Sequence, residues 1–561
     1  MRPFTTAADV SGGMELDDRV GRSSAGQHHV DATKEIQPSV RDVSEESDDP
    51  EVQDAAFSGT KSTSADAEDM RRMGKDQQLV RHFRQLSMTS FLAIANPAWE
   101  IGLFVFSPAL TNGGRPMLVW SLLWNFIMFG PIYLSLAEMA SMAPIAGASY
   151  HWVSEFAPEN CQRILSYITG WTSTIAWQAG NAQGIFIVGS LIQTIILVNN
   201  ENYAFPAWHG ALLAIASMAV AYVAAVYGAK ALPYWQNAVF AVHILGFFAY
   251  LVPIWVNAPA ATHHQVWLEF ENYGGWSSLP LAALVGQLTG ISGFAGLDAA
   301  VHMAEEVRDA RRSIPRTMIS VWMINFVILF VAAITVCYHI IDLEAGLSDS
   351  TTYPAIYVLR QALPLAWITV ILVIIVVLNV ASNIVYLAAV TRDLFAFARD
   401  RGVPFSGWLS DVNARRHIPQ NAATLSCVFA VLLALIYIGS PVAFYAMTSL
   451  ATVSLLQCYT FSIGSHLWRR IYHPETLPQA YFPLGRWGVP LNIMAILYST
   501  YGFFWAFWPT TTPITAEGFN WASVIFVAVI VIAMVYFVFK AKRTYVGPVT
   551  EVEGRGRRPA H

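Results

Sequence analysis

Charge is scarce in this chain. Asp, Glu, Lys and Arg make up 13% of its 561 residues, against roughly 25% in an ordinary soluble domain. So small a supply cannot coat a globule of this size with polar surface. Cysteine is scarcer still. Cys161, Cys337, Cys427 and Cys458 stand singly, without CxxC or Cys/His spacing, so neither a disulfide scaffold nor a metal site is indicated. No Asn-x-Ser/Thr acceptor for glycosylation occurs. A GxxxxGKS/T phosphate loop is missing, which argues against a built-in ATPase. No apolar run carries the regularly spaced arginines of a voltage sensor, and none resembles a carbonyl-lined filter loop. Neither HExxH nor a Ser/His or paired-Asp constellation falls within an apolar run, so the chain is not read as an enzyme and no cofactor is called for. The opening MRPFTTAADVSGG has no apolar core or small-residue cleavage pattern, and no signal peptide is expected. The formal net charge of −5 is modest and mostly borne by the first residues, so it carries no nucleic-acid message.

What the chain has is apolar length. Hydrophobic residues make up 55% of it, and a helix needs about 20 of them in a row to cross a bilayer. Twelve such runs are found: Leu86–Leu110, Met117–Leu136, Ile164–Val198, Ala204–Tyr227, Leu232–Val256, Leu279–Met303, Met318–Ile341, Ala366–Val390, Ala422–Ile438, Ala443–Leu467, Val489–Trp508 and Trp521–Phe539. The ninth and tenth nearly abut at Gly439–Ser440–Pro441, which suits a tight hairpin. The expected fold is all-α and membrane-integral. Residues 1–84 are read as a disordered cytoplasmic tail, 85–541 as the twelve-helix core and 542–561 as a cytoplasmic C-terminal tail. The polar stretch Asp17–Arg72 holds too little apolar surface to offset its ordering entropy.

Orientation follows from Lys and Arg in the connections. With the N-terminus inside, Arg71, Arg72, Lys75, Arg81 and Arg84 lie inside. So do Lys230, Arg308, Arg311, Arg312, Arg316, Arg399, Arg401, Arg415, Arg416, Arg469, Arg470, Arg486, Lys540, Lys542 and Arg543. Only Arg115 and Arg360 fall in the outside loops. An even number of spans with both ends cytoplasmic is therefore expected.

Two runs carry helix breakers at matching places. The first contains Asn96–Pro97, and proline in mid-helix removes a hydrogen bond and clashes with the preceding turn. The sixth contains Gly290, Gly293 and Gly296, three glycines three apart, which weaken a helix and admit close approach. Carriers commonly place substrate near the midplane where such helices are interrupted. A kink or a small-residue packing face would give the same signal in either run alone.

Several stretches resemble one family. They are LAEMASMAPIAGASYHWVSE from Leu136 to Glu155, LSYITGW from Leu165 to Trp171 with Trp177–Gln178–Ala179 beyond, and FAGLD from Phe294 to Asp298. HMAEEV from His302 to Val307 with Ile314–Pro315, and TRDLFAFARDRGVPF from Thr391 to Phe405, complete the set. In this order they resemble the fungal amino acid/choline transporter family of the amino acid–polyamine–organocation superfamily, over about Leu86 to Gly547. The resemblance implies two inverted five-helix repeats plus two C-terminal helices. It implies substrate held between the breaks of helices 1 and 6, facing helices 3, 8 and 10, with alternating access driven by protons. Asn96–Pro97 stands where amino acid carriers commonly have a glycine-rich break, which leaves α-amino acid specificity open.

The candidate substrate-binding residues are Asn96, Trp99, Glu100, Trp177, Gly290, Gly293, Phe294, Gly296 and Asp298. Glu100 is an ionisable group inside a span, expensive there and a functional candidate for that reason. It would meet a cationic substrate group or carry the coupled proton; its plainer role is to reach backbone or water at the helix end. Asp298 would attract a cation or cap the second half of helix 6, the latter slightly favoured. Trp99, Trp177 and Phe294 would form an aromatic wall for an amine, or simply pack. His243 is the second proton candidate, titrating near neutrality, and otherwise a hydrogen-bonded core histidine. Glu305 and Glu306 with Arg392 and Arg399 are candidates for an inner gate. The expected partners are a small amino acid, a GABA-like amine or choline, protons and the lipid bilayer, in the plasma membrane. A nutrient sensor on a carrier scaffold is the reading from another class.

Overall fold

The computed structural model of the chain describes residues 62–553 apart from 352, 437, 439–442 and 517. The predicted hairpin at Gly439–Ser440–Pro441 and the tail residues 1–61 and 554–561 lie outside the described residues. Among the described residues there is no strand, only helices and connections.

Among the described residues, ten helices are long and apolar enough to cross a membrane. The first span is interrupted: α2 (Gln85–Ala95) stops at Asn96, and α3 (Ala98–Val105) restarts after Pro97. Then come α4 (Gly114–Met142), the short α5 (Ala148–Phe156), α6 (Gln162–Asn199), α7 (Ala207–Tyr227) and α8 (Leu232–Asn257). The sixth span is in pieces, α9 (Leu279–Gly286), α10 (Leu288–Phe294) and α11 (Ala299–His302). The remainder are α12 (Ala310–His339), α13 (Leu365–Arg399), α14 (Gln420–Ile436), α15 (Ala443–Tyr472), α16 (Gly488–Trp505) and α17 (Ala522–Tyr536). The ninth and eleventh apolar runs form the short helices α14 and α16.

The packing is that of a membrane protein. Large apolar side chains face outward: Val252 and Val256 on α8, Val373 and Val377 on α13, Val527 and Val531 on α17 are all exposed. Polar side chains face inward, among them Asn125, Gln236, His243, Asn379, Asn383 and Asp393. Outward apolar surface on this scale would aggregate in water and is matched by lipid.

The segment read as a disordered N-terminal tail differs from expectation where it is described. Residues 62–84 are not disordered but packed on the bundle. Here α1 (Ser64–Arg72) starts in a capping box between Thr63 and Asp66. The same Asp66 carboxylate accepts the Asp309 and Ala310 amides at 3.1 and 3.2 Å, capping α12 from outside. Arg72 pairs with Glu155 at 2.8 Å, Arg311 with Asp69 at 3.3 Å, and Arg81 with Asp66 at 3.4 Å. Ion pairs join the burial of Met70, Met73, Leu79 and Phe83 in holding the segment on the bundle. At the other end, helical structure continues to Thr544 and Tyr545 is buried. Lys75 joins the two ends, pairing with Asp400 and with Glu551.

Candidate functional site

The two interrupted spans meet. The α2/α3 break puts Asn96 at φ −124° and ψ 72°, outside the helical region. The α10/α11 break puts Gly296 at φ +100°, a conformation open to glycine and strained for other residues. The Asn96 side-chain amide faces the Gly296 carbonyl at 3.4 Å. Tyr459 of α15 accepts the Gly296 amide at 3.3 Å and donates to the Asp298 carboxylate at 2.5 Å. Tyr133 of α4 donates to the Phe294 carbonyl. Asn325 of α12 donates to the Asn96 carbonyl at 2.9 Å. Freed backbone groups thus find side-chain partners, as interrupted helices require at membrane depth.

Around the breaks lies a cavity of about 110 Å³. Its walls come from α2 and α3 (Asn96, Ile101), α6 (Gly180, Gln183, Gly184), the sixth span (Ser292, Gly296), α13 (Ser382, Asn383, Tyr386) and α15 (Thr448, Thr452). A second cavity of about 70 Å³ shares Asn96, Ile101, Ser292 and Ala295 with it and is otherwise mostly apolar, with Val105, Phe106, Leu122 and Leu329. Neither cavity is lined by a charged side chain. Gly180 and Gly184 matter by what they lack: a Cβ at either would overlap Tyr386 or Asn383, so these glycines let polar groups of α13 reach the cavity wall.

The candidates divide on this geometry. Asn96 and Gly296 line the larger cavity, and Gly293 lines the smaller. Gly290 packs against Asn125 instead. Phe294 ends α10 buried among Phe126, Phe129 and Phe326, not in the cavity wall. Trp99 turns toward α8, stacked on Tyr250 at 5.7 Å and donating to the His243 carbonyl at 3.2 Å. Trp177 lies against Tyr386 and His302, at 5.2 and 4.9 Å between centroids. The three aromatics therefore form no common wall. Asp298 does not cap α11 with its side chain; its oxygen is taken by Tyr459.

Glu100 and His243 form one unit. Nδ1 of His243 lies 2.6 Å from Oε1 of Glu100, and both residues are fully buried. Glu100 Oε2 and His243 Nε2 have no hydrogen-bond partner. Neither residue lines either of the two cavities at the breaks.

The four gate candidates also pair. Arg399 donates to both oxygens of Glu305, at 2.8 and 3.0 Å, and Arg392 donates to Glu306 at 2.7 Å. The segment after α1 braces the same loop: Gln77 donates to the Glu305 carbonyl at 2.8 Å and Arg81 to the Ala304 carbonyl at 2.9 Å. Burial alone would push the Glu305 carboxyl up, but Arg399, the Ala146 amide and Arg81 together outweigh it and hold the group below the usual carboxylate range. A depressed carboxylate contributes its stability above its unfolded pKa and loses it only as pH falls through the folded value. The Glu305–Arg399 pair therefore stays charged near neutrality.

Sequence reasoning named no cavity-lining residue on helices 8 and 10. Ser382, Asn383, Tyr386, Thr448 and Thr452 went unseen, as did Gln183. The available signal was Asn379–Asn383, a polar interruption in the otherwise apolar α13.

Comparison with known proteins adds to this geometry. The family model for amino acid permeases matches residues 85–532. A Macrophomina phaseolina protein provisionally named an amino acid/polyamine transporter is 29% identical, over 76% of this chain and 94% of its own. The choline transporter of Saccharomyces cerevisiae is 25% identical over 78% and 77%. Amino-acid permease BAT1 of Arabidopsis thaliana is 27% identical over 86% and 96%.

Proposed function

Because the chain belongs to the amino acid permease family, we propose that it is a secondary carrier of a small zwitterion, an amino acid or a GABA-like ω-amino acid, moved by alternating access. The observation that carries the substrate class is the uncharged cavity at the two breaks. A zwitterion needs no net counter-charge. Its carboxylate suits the first amides of α3, which lack intrahelical acceptors and sit at a positive helix end. Its ammonium suits the last carbonyls of α10 at a negative end. Choline has no carboxylate and carries a permanent charge. With Glu100 bound to His243 and Trp99 facing α8, no acid or aromatic cage is left at the cavity for it.

Proton coupling is assigned to Glu100 and His243. A short contact between a carboxyl and an imidazole, both fully buried, favours one shared proton, since an unshared buried charge is costly. The excess of basic residues in the connections of one side supports a cytoplasmic location for both termini, and the family resemblance favours the plasma membrane. The inner gate is then the Glu305–Arg399 and Glu306–Arg392 pairs.

The test is uptake in cells lacking their own amino acid and choline carriers, with labelled amino acids, GABA and choline, each with and without a protonophore. Saturable uptake of a zwitterion, abolished by the protonophore, is expected. Uptake of choline alone would overturn the substrate class. Saturable binding without flux would replace the carrier by a sensor.

The breaks offer a sharper contrast. A Cβ at Gly296 would meet Asn96 Oδ1 at 3.2 Å on a backbone of φ +100°, adding strain of about 1–3 kcal/mol. A Cβ at Gly293 meets only the flexible end of Leu329, at 3.3 Å. Gly296→Leu is expected to abolish uptake at normal surface level, and Gly293→Ala to keep most of it. Normal uptake by Gly296→Leu would remove the site from the sixth span.

A further inference from the structure

Below the larger cavity, between α6, α11 and α13, lies a second buried acid–imidazole pair that the carrier reading does not use. Asp393 is 1% exposed. Its Oδ1 accepts from Ser173 at 2.7 Å, and its Oδ2 has no partner. His302 is 1% exposed. Its Nδ1 lies 2.8 Å from the Ala146 carbonyl and 3.7 Å from Asp393 Oδ1, and its Nε2 has no partner. Trp177 covers the imidazole.

No basic side chain neutralises Asp393. Its neighbour Arg392 is spent on Glu306 and Arg399 on Glu305. The other titratable groups facing it bring no positive charge: Asp298 on the sixth span, Tyr386 on α13 and Cys458 on α15. From α6 come the Ser173 and Thr174 hydroxyls and the Trp177 indole, none of them charged. An isolated ionised carboxylate here would cost far more than a neutral acid. A doubly protonated His302 would leave a buried N–H at Nε2 without an acceptor, a cost of its own.

We infer that Asp393 is a second proton-binding site, loaded as the neutral acid beside His302 and emptied to water when the gate pairs part. The Asp393 O–H bond breaks as that water takes the proton, leaving the carboxylate beside His302. The placement supports this order. His302 is three residues from Glu305, and Asp393 adjoins Arg392, so both groups sit on the segments that hold the gate. The Glu305–Arg399 pair keeps its charge near neutrality. Its role in a transport cycle rests on the carrier reading; proton binding by Asp393 does not.

The test therefore needs no substrate. Infrared difference spectra of the purified full chain, taken between alkaline and acidic pH with and without carboxyl-labelled aspartate, report protonated acids directly. A carboxylic C=O band that shifts with aspartate labelling is expected in the wild type, lost in Asp393→Asn. In Asp393→Glu the band persists and no longer shifts with the label, which keeps the test open where the asparagine variant folds poorly. Glu100→Gln should retain this band, separating the site from the Glu100–His243 pair. Aspartate-sensitive spectra that are identical in wild type and Asp393→Asn, or in wild type and Asp393→Glu, would overturn the inference.

Discussion

Glu100→Gln is expected to end concentrative uptake while leaving exchange of internal for external substrate in place. One coupled proton converts each pH unit of inward gradient into about 1.4 kcal/mol, roughly a tenfold accumulation ratio. Membrane potential adds about 2.3 kcal/mol per 100 mV for each charge moved. Glutamine matches the shape of Glu100 and can still accept from His243 Nδ1, 2.6 Å away in the wild type. It cannot share a proton. With the proton lost as a passenger, the accumulation ratio should fall to about one. Neither residue lines either of the two cavities at the breaks, so substrate binding and exchange should survive. Measuring the steady-state ratio in proteoliposomes under an imposed pH gradient, beside exchange without one, separates the two effects. Accumulation at the wild-type ratio would mean the pair is structural. Glu100→Ala is a poorer probe: breaking a buried pair costs about 3–5 kcal/mol and would confound coupling with folding.

The same pair shows where sequence reading stops. Asn96–Pro97 and the glycines of the sixth span announce their breaks, because proline and glycine act on the local backbone. The membrane class was equally legible, since each apolar run is a local fact. That Glu100 meets His243 depends on how α3 and α8 rotate against each other across 143 residues. Apolar runs without a polar stripe give little rotational signal. Trp99 illustrates the point: its neighbour Asn96 lines the cavity, yet one turn later the indole faces α8 and Tyr250. Composition misled at the N-terminal segment. Residues 62–84 are too polar to build a core of their own, but Asp66, Arg72, Lys75 and Arg81 are ordered by charges on the bundle. The Thr63–Asp66 capping box was a readable sign of α1.

The inner gate should be the most sensitive point in the conformational balance. Glu305 is fully buried and takes both donors of Arg399, while Arg81 and Gln77 hold the backbone beside it. The stabilisation exists only while the cytoplasmic side is shut; once it opens, both partners reach water. Removing one partner should therefore tilt the equilibrium toward the cytoplasm-open state by up to about 3–5 kcal/mol, two orders of magnitude or more in population. Thr452 lines the larger cavity, so cysteine placed there, in a chain relieved of its four native cysteines, reports access. An impermeant maleimide applied to inside-out vesicles should modify it roughly a hundredfold faster in Glu305→Gln than in the parent. Glu305→Arg alone should do the same, and Glu305→Arg with Arg399→Glu should bring the rate back toward the parent. Glu306→Gln should have a smaller effect, because Glu306 takes a single donor from Arg392. Unchanged labelling in Glu305→Gln would make the four charges membrane-surface anchors and move the closure elsewhere. Full recovery in the swapped pair would show that the ion pair itself, not the identity of either residue, keeps the cytoplasmic side shut.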